Sequence, residues 1–270
     1  PLNRQALLRF DASSPARWRF FAPAGNGRSV EIALVMDMLK DSNAVIIRLT
    51  RPKDRCSEGD ELPDECRVSL TVRFDIEDRN FHWETQRNES AEHHFNQNIQ
   101  SIKSGEGFLF SPDKDRQLKV WTDAGQYHPA PEWIQGVPHP VEQSRGQTGQ
   151  GDAFSPGWFN VPLSANQTTH LIASAAEENP STDSISQFPD ARNHHHATLL
   201  AKSSLEEEDR WGRQLLKALD AFVVKRDDGM TVIAGYPWFL DWGRDSLIVA
   251  RGMLSGGMTE EVVKLLIVFG

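Results

Sequence analysis

Residues 205–229 read LEEEDRWGRQLLKALDAFVVKRDDG, and the pattern of the whole sequence changes at this stretch. Acidic residues crowd its start, Lys225 and Arg226 lie near its end, and Gly229 follows them. These are the charges and the stop residue that favour a helix. The apolar residues share one helical face, at Trp211, Leu215, Leu216, Leu219, Phe222 and Val223. Two serine–glutamate pairs just upstream are typical of a capping box, Ser203 with Glu206 and Ser204 with Glu207.

Before this stretch, the first 176 residues have the short alternating runs that are typical of β-strands. The runs are separated by turn-forming sequences and fall at 16–21, 29–35, 44–49, 68–74, 107–110, 118–122 and 169–173. Many short strands without helical patterns between them predict an antiparallel β-sandwich over 1–176. Two segments of this region lack the alternating pattern of a strand. Residues 92–103 suit either a short helix or a strand with a loop, and 123–157 are predicted to be a long irregular segment.

Residues 177–203 are polar, carry two prolines, and are predicted to link two domains. Three adjacent histidines lie in this linker, His194, His195 and His196. Adjacent side chains on regular structure cannot all face one ion, so we predict no metal site here.

Residues 204–270 are predicted to begin a helical domain. Beyond the first helix, a second is predicted over 244–254 and a third after Thr259. The third runs into the apolar sequence VVKLLIVFG without a stop signal. Because so few helices cannot bury such wide apolar stripes, we expect that this domain is cut short, or that another chain covers it.

The composition narrows the classes of function. The 270 residues contain 29 Lys and Arg against 38 Asp and Glu, a net charge of −9, which argues against binding of nucleic acid or anionic lipid. No apolar stretch reaches the roughly 20 residues of a membrane-spanning helix. No signal peptide is recognised, so we expect a cytoplasmic protein. Cys56 and Cys66 are compatible with either a disulfide or two free thiols.

Side chains suited to ligand binding and catalysis are most concentrated in residues 231–248, TVIAGYPWFLDWGRDSLI, between two predicted helices. Aromatic rings stack on the apolar faces of sugars, carboxylates accept hydrogen bonds from hydroxyl groups, and arginine donates a rigid fork. The stretch therefore predicts a sugar-binding site that is folded inward or covered by other segments. Its side chains of interest are Tyr236, Trp238, Phe239, Asp241, Trp242, Arg244 and Asp245.

Cleavage of a bond between sugars needs one protonated and one ionised carboxyl group. Because the second helix is predicted to begin near Arg244, Asp241 and Asp245 are not predicted to be the catalytic pair. As a general acid, Asp245 needs burial to keep its proton, since a helix N-terminus and a neighbouring arginine both favour the charged form. Alternatively, Asp245 caps the helix while Arg244 pairs with Asp241, and the spacing leaves both interpretations open.

The string GYPWFLDWGRDSLI, residues 235–248, resembles the opening of the catalytic domain in glycogen debranching enzymes of the amylo-α-1,6-glucosidase family. The family pattern is approximately G-x-P-W-F-x-x-W-G-R-D-[ST]-x-I. It is matched at Gly235, Pro237, Trp238, Phe239, Trp242, Gly243, Arg244, Asp245, Ser246 and Ile248. Two weaker similarities lie upstream. IEDRNFHWET from Ile76 is similar to a D-x-R-x-x-H stretch of the family's N-terminal domain, and DAFSPGWFNVPL from Asp152 is similar to its S-P-G-x-F segment.

The resemblance implies a multidomain β + α protein, with a galactose-mutarotase-like β-sandwich followed by an (α/α)6 toroid that holds the active site. It implies hydrolysis of α-1,6-linked branch glucose from glycogen or limit dextrin with inversion, without a metal or another cofactor. Asp245 then looks like the general acid, and Trp238, Asp241, Trp242 and Arg244 look like residues that bind substrate or shape the site. The family's base is a Glu that no position here matches, so we expect the isolated chain to be inactive.

Other interpretations stay open, because a fold does not fix a substrate. One is another toroidal enzyme that acts on α-glucans, similar to a trehalase, a glucoamylase or a phosphorylase. Another is a noncatalytic carbohydrate-binding protein in which Asp245 only caps a helix. The sequence leaves the oligomeric state open.

Overall fold

The computed structural model describes residues 6–12, 15–39, 42–55, 57, 59–80, 82–102, 104–176 and 179–269. These residues form two compact units, which divide between Pro180 and Ser181. The first unit consists mostly of strands, and the second combines helices with a small sheet. Each unit is described by itself below.

The first unit contains β1 (Leu7–Asp11), β2 (Ala16–Gly25), β3 (Arg28–Met38), β4 (Ala44–Thr50), β5 (Asp60–Glu61), β6 (Ser69–Arg73), α1 (Glu89–Gln97), β7 (Ile99–Ser101), β8 (Gly107–Asp113), β9 (Arg116–Thr122), β10 (Gln126–Pro138), α2 (Pro140–Ser144), β11 (Gln150–Pro162) and β12 (Thr168–Ser174). All seven runs that alternation predicted coincide with strands. Residues 92–103 contain both the end of α1 and the whole of β7, so the helix and the strand interpretations are each right in part.

Two sheets form the first unit. Within the described residues, nine strands make one sheet in the order β1-β2-β3-β4-β12-β9-β8-β7, with β5 parallel to β3, and β10-β11-β6 make a second. Their facing sides share one apolar core, which includes Leu49 and Leu171 from the large sheet and Phe154 and Phe159 from the small one. Burial of each phenylalanine stabilises the unit by about 1.5–3 kcal/mol. The arrangement is an antiparallel β-sandwich, as the sequence predicted.

The prediction of an irregular segment over 123–157 is wrong. This segment forms β10, the short helix α2 and the start of β11, and β10 pairs with β11 over most of its length. β10 is an edge strand, so its prolines, which lack an N–H group, cost the sheet little. β11 approaches it closely: a Cβ atom at Gly157 would lie 2.2 Å from the carbonyl oxygen of His128. The prolines that suggested a loop are therefore tolerated at this edge, and Gly157 is required by the close approach of the two strands.

The second unit contains α3 (Thr182–Lys202), α4 (Arg210–Asp220), β13 (Val223–Arg226), β14 (Gly229–Gly235), β15 (Phe239–Asp241), α5 (Gly243–Ser255) and α6 (Thr259–Phe269). The three strands form an antiparallel sheet in chain order. Leu216, Val232, Met253 and Leu265 are the centre of its apolar core. The predictions of helices over 244–254 and after Thr259 are confirmed by α5 and α6.

The segment predicted as a linker, 177–203, is mostly the helix α3, which lies in the second unit. The Ser181 hydroxyl caps it by accepting a hydrogen bond from the Ser184 N–H at 3.1 Å. Phe188 and Leu199 are its buried anchors, and their spacing of 11 positions is about three helical turns, so both lie on one face. Two anchors in a polar helix of 21 residues are too sparse a signal to recognise from sequence.

The helix predicted over 205–229 is shorter than expected. α4 begins at Arg210, where the Asp209 carboxylate rather than Ser203 or Ser204 caps it, and ends at Asp220. Val223 and Val224 continue as β13 because β-branched residues favour strands. Asp227, at φ 50°, turns the chain into β14.

None of the described helices is both long and apolar enough to cross a bilayer. No group of three or more potential metal-ligating side chains occurs in the described part of the chain. Cys66 has a free thiol, and Cys56 lies outside the described residues.

Candidate functional site

The aromatic stretch at 231–248 is a β-hairpin that leads directly into a helix. Ile233 of β14 pairs with Asp241 of β15, and Gly235 pairs with Phe239. α5 begins at Gly243, two residues after the hairpin ends. The sequence placed this stretch between two helices and predicted no strand in it, because the two strands are short and the turn interrupts their alternation. The hairpin places Asp241 at its end and Asp245 in the first turn of α5.

Asp241 is held inside the unit by two donors. Its Oδ2 atom accepts hydrogen bonds from the Thr231 hydroxyl at 2.9 Å and from Arg226 Nη1 at 2.5 Å. Burial by itself opposes ionisation of this carboxyl group, but the two hydrogen bonds and the Arg226 charge lower its pKa below the ordinary value. Asp241 is therefore an ionised group that ties β13, β14 and β15 together.

Asp245 has a different environment. Its Oδ2 atom is buried and accepts no hydrogen bond from the described residues, and Arg244 Nε lies 3.5 Å from it. About a third of the side chain is exposed, so the exposure falls on its other atoms. The adjacent Ser246 is fully buried, and its hydroxyl also makes no hydrogen bond within the described residues. Asp245 Oδ2 therefore has one ion-pair partner, Arg244, and no hydrogen-bond donor among the described residues.

The helix-cap interpretation of Asp245 is wrong. Trp242 is the N-cap residue of α5, and no side-chain hydrogen bond caps this end of the helix. Arg244 does not pair with Asp241, whose partners are Arg226 and Thr231. Sequence reasoning missed both partners, since Arg226 was placed at the end of a helix. The signal that identifies them is the β13–β14 hairpin, which brings their strands beside β15.

The aromatic side chains of the hairpin are largely exposed. Trp242 is 56% exposed, Tyr236 51% and Phe239 46%, whereas Trp238 is partly buried. Tyr236 packs on Phe222 at a ring-centroid distance of 5.3 Å, and this burial raises the pKa of its phenol. The expected inward folding is thus not found within the second unit. The hairpin instead presents an aromatic surface beside Asp245.

Further exposed apolar residues lie on β15 and on the two helices that follow it. They are Leu240 on β15, Leu247, Ile248 and Leu254 on α5, and Val263, Leu266 and Ile267 on α6. Exposed apolar area of this extent is uncommon on a folded protein and marks a surface that another segment or ligand covers.

Comparisons with known proteins found two family models on this chain. The model described as "Glycogen debranching enzyme N terminal" matches residues 3–170, and the model described as "Amylo-alpha-1,6-glucosidase" matches residues 217–270. The second match contains the whole aromatic hairpin and Asp245. A search of curated proteins found no match.

Among solved structures, similar chains include the heparan sulfate lyase HepC from Pedobacter heparinus (10% identity, 65% of this chain, TM-score 0.33). Others are heparinase III (13% identity, 66% of this chain, TM-score 0.30) and a protein described as a kojibiose phosphorylase, from the human microbiome (11% identity, 84% of this chain, TM-score 0.39). The chain spans 22% of the length of each lyase and 30% of the length of the third protein.

Proposed function

We propose, from the premise that this chain belongs to the glycogen debranching enzyme family, that its protein is a glycoside hydrolase that removes α-1,6-linked branch glucose. The substrate proposed is glycogen or a limit dextrin, and the proposed mechanism is inverting acid–base hydrolysis. Membership of the family rests on the match over residues 3–170, more than half of the chain.

The observation that carries the proposal is the environment of the Asp245 carboxyl group, whose Oδ2 atom is buried without a hydrogen bond. A general acid must hold its proton until the leaving oxygen takes it, and it therefore cannot be consumed by structural hydrogen bonds. Asp245 Oδ2 is buried without such a bond, in the stretch that matches the amylo-α-1,6-glucosidase model. In our proposal, this carboxyl group protonates the glycosidic oxygen of the branch point.

The neighbouring residues take the other roles. Trp242, which is more than half exposed, and Trp238 offer ring faces on which a glucose unit stacks. Arg244 is 78% exposed and donates to substrate hydroxyl groups while it stays beside Asp245. Asp241 is held by Arg226 and Thr231, so its role is to shape the hairpin that carries these side chains.

An inverting site also needs an ionised carboxylate roughly 6.5–9.5 Å from the acid, with a water between them. Asp241 does not fit that role, because the Oδ2 atom that accepts both hydrogen bonds ties it to the sheet. Since the base Glu that the family resemblance implies also matches no position in this sequence, we propose that the base comes from outside these 270 residues and that this chain alone has no glucosidase activity.

The architecture follows from the same reasoning. We propose that the first unit is a galactose-mutarotase-like sandwich and that α5 and α6 begin an (α/α)6 toroid. The exposed apolar faces of these helices support this proposal, because further helices of a toroid would cover them.

The experiment compares glucose release from a singly branched dextrin, trehalose and maltose by the intact protein. We expect the branched dextrin to be preferred, and Asp245→Asn to lower its turnover by about 10²–10⁴-fold while glucan binding and folding persist. Asp228→Asn, an exposed carboxylate in the β13–β14 turn, is the matched control. Preferred cleavage of trehalose, or full turnover by Asp245→Asn, would contradict the proposal.

A further inference from the structure

A cleft with polar and aromatic walls lies in the first unit, where the loop after β6 meets α1. Its volume is about 690 Å³, within the range of roughly 300–1,000 Å³ that ligand sites occupy. The residues that line it are Asp78, His82, Trp83, Glu84, Thr85, Gln86, Asn88, Ser90, Ala91, His94 and Phe95. None of these described lining residues is Lys or Arg.

The loop that forms one wall is fixed at both ends by the small sheet. At its start, Ile76 and Phe154 exchange two backbone hydrogen bonds of 2.8 and 2.9 Å. At its end, the Thr85 carbonyl accepts a hydrogen bond from the Asp152 N–H at 2.7 Å, and the Asp152 carboxylate accepts one from the Arg87 N–H at 2.8 Å. Hydrogen bonds to β11 therefore anchor both ends of this wall to the sandwich.

Arg79 fixes the middle of the loop. Its guanidinium donates to Glu77 at 2.6 Å, to Glu142 at 3.0 Å and to the Trp83 carbonyl at 2.7 Å. These side chains are each about one-fifth exposed or less, so this ion-pair network is well shielded from water. The network holds the backbone of Trp83 in one place.

The side chain that this network presents is itself exposed. Trp83 is 73% exposed, although its indole is the largest apolar side chain in the wall. Phe95 at the floor is buried and already packed against Phe110, Phe154 and Trp133, so Trp83 is not needed to close that cluster. A flat ring held open over a cleft is suited to stack on a sugar ring.

The polar groups of the cleft match hydroxyl groups rather than anions. Asp78 Oδ2 is engaged by Arg116 at 3.1 Å and by His94 at 3.3 Å, and Glu84 Oε1 by Gln86 at 2.9 Å. The other oxygen of each carboxylate accepts no hydrogen bond from the described residues. These oxygens attract O–H donors and repel sulfate or phosphate.

A buried group in the same wall also lacks a partner. Thr85 is 7% exposed, and its hydroxyl makes no hydrogen bond within the described part of the chain. A buried hydroxyl without a partner is costly, and it is uncommon in folded proteins. Because Thr85 lines the cleft, a polar ligand bound there would lie close to this unpartnered hydroxyl group.

We propose that this cleft binds a segment of a neutral glucan chain, with Trp83 as the stacking platform and Asp78 and Glu84 as acceptors for sugar hydroxyl groups. The choice of a glucan rests on the proposed function. The site lies in the β-sandwich and contains no residue of the proposed active site.

The test is native electrophoresis of the 270-residue chain in gels that contain glycogen, with hydroxyethyl cellulose and heparin gels as probes of linkage and charge. Trp83→Ala is compared with Trp211→Ala, which removes a tryptophan of similar exposure (79%) from α4. Trp242→Ala tests whether glycogen binds at the proposed active site instead of the cleft. Thermal unfolding confirms that each variant is folded.

We expect glycogen to retard the wild type and Trp211→Ala equally, and Trp83→Ala to raise the dissociation constant by about three- to tenfold. Heparin should not retard any of them. If Trp242→Ala abolishes retardation by glycogen and Trp83→Ala does not change it, the proposed glucan site in the cleft is wrong. The proposed function would be unaffected by that result. A wild type that glycogen does not retard, or that heparin retards more strongly, would also overturn the proposed glucan site, whereas the proposed function depends on turnover by the intact protein.

Discussion

Replacement of Asp241 by Asn tests the claim that this residue is an ionised tie between three strands. Asn keeps an oxygen that can accept from Thr231 and Arg226 but removes the charge. A hydrogen bond to a charged group contributes about 1.5–3 kcal/mol and a neutral one about 0.5–1.5 kcal/mol. Because Asp241 is 19% exposed and Arg226 44% exposed, solvent screens part of this difference. We expect Asp241→Asn to lower the stability of the second unit by about 1–2 kcal/mol at pH 7.

The pH dependence of this loss follows from the lowered pKa of Asp241. A carboxyl group with a lower pKa in the folded state contributes stability that is fully present above its unfolded value, about 3.9. That contribution is lost as the pH falls through the folded value. The difference between wild type and Asp241→Asn should therefore be constant from neutral pH down to about pH 5, and it should shrink below about pH 4.

Hydrogen exchange of peptides from β13 to β15 measures this locally, so the unfolding of the first unit does not interfere. Asp227→Asn is the matched control, because Asp227 lies 3.8 Å from the same arginine but is 87% exposed. Asparagine also suits its positive φ. The control should change stability by less than about 0.5 kcal/mol. Equal protection in wild type and Asp241→Asn, or a difference that persists at low pH, would refute the reasoning.

Three further changes have defined outcomes. Arg79→Met removes the arginine that pairs with Glu77 and Glu142 and should destabilise the first unit by about 2–4 kcal/mol in urea unfolding. Arg87→Met, at an exposed ion pair, should cost less than about 1 kcal/mol. Gly257→Ala should lower the free energy of unfolding by about 1–3 kcal/mol in thermal unfolding, because Gly257 has φ 79° and a Cβ atom there would lie 2.3 Å from a backbone oxygen. Gly252→Ala, which has open space inside a helix, should instead raise it by about 0.5–1 kcal/mol. Burial, with the nearby Lys217 charge, lowers the pKa of His196, so the wild type should lose stability as the pH falls below about 6.5, and His196→Gln should flatten this slope in thermal unfolding.

The sequence predicts the elements whose pattern reflects their own burial. The strands around Leu49 and Leu171 alternate because one side of each faces the shared core. α5 was predicted to end at Gly256 and Gly257, and α6 to begin with Glu260 and Glu261 in its first turn, and both signals act locally. These signals need no knowledge of the rest of the chain.

The errors occur where tertiary contacts override local pattern. Prolines in β10 are compatible with a strand only because that strand is at the edge of its sheet. Gly157 is required by the neighbouring strand, which is distant in sequence. α3 depends on two anchors that fit a core built by other elements, and Phe188 and Leu199 do not by themselves distinguish a helix from a linker.

The sequence identified the residues of the candidate site but not the contacts that hold them. The aromatic and acidic residues were identified from one short stretch. The partners of Asp241 were not, because Arg226 and Thr231 reach it only through a hairpin that was predicted as the end of a helix. The absence of a cap at Asp245 was likewise undecided, since the same spacing serves a cap and an acid equally well.

The most direct test of the central claim, that Asp245 is the acid, uses two substrates that differ in their need for a proton. In the intact protein, an α-1,6-linked glucose disaccharide needs its leaving oxygen protonated, whereas α-glucosyl fluoride releases fluoride without this help. We predict that Asp245→Asn loses about 10²–10⁴-fold of kcat/KM on the disaccharide but remains within about tenfold of wild type on the fluoride. Equal losses on both substrates, or no loss on either, would contradict the assignment of Asp245 as the proton donor.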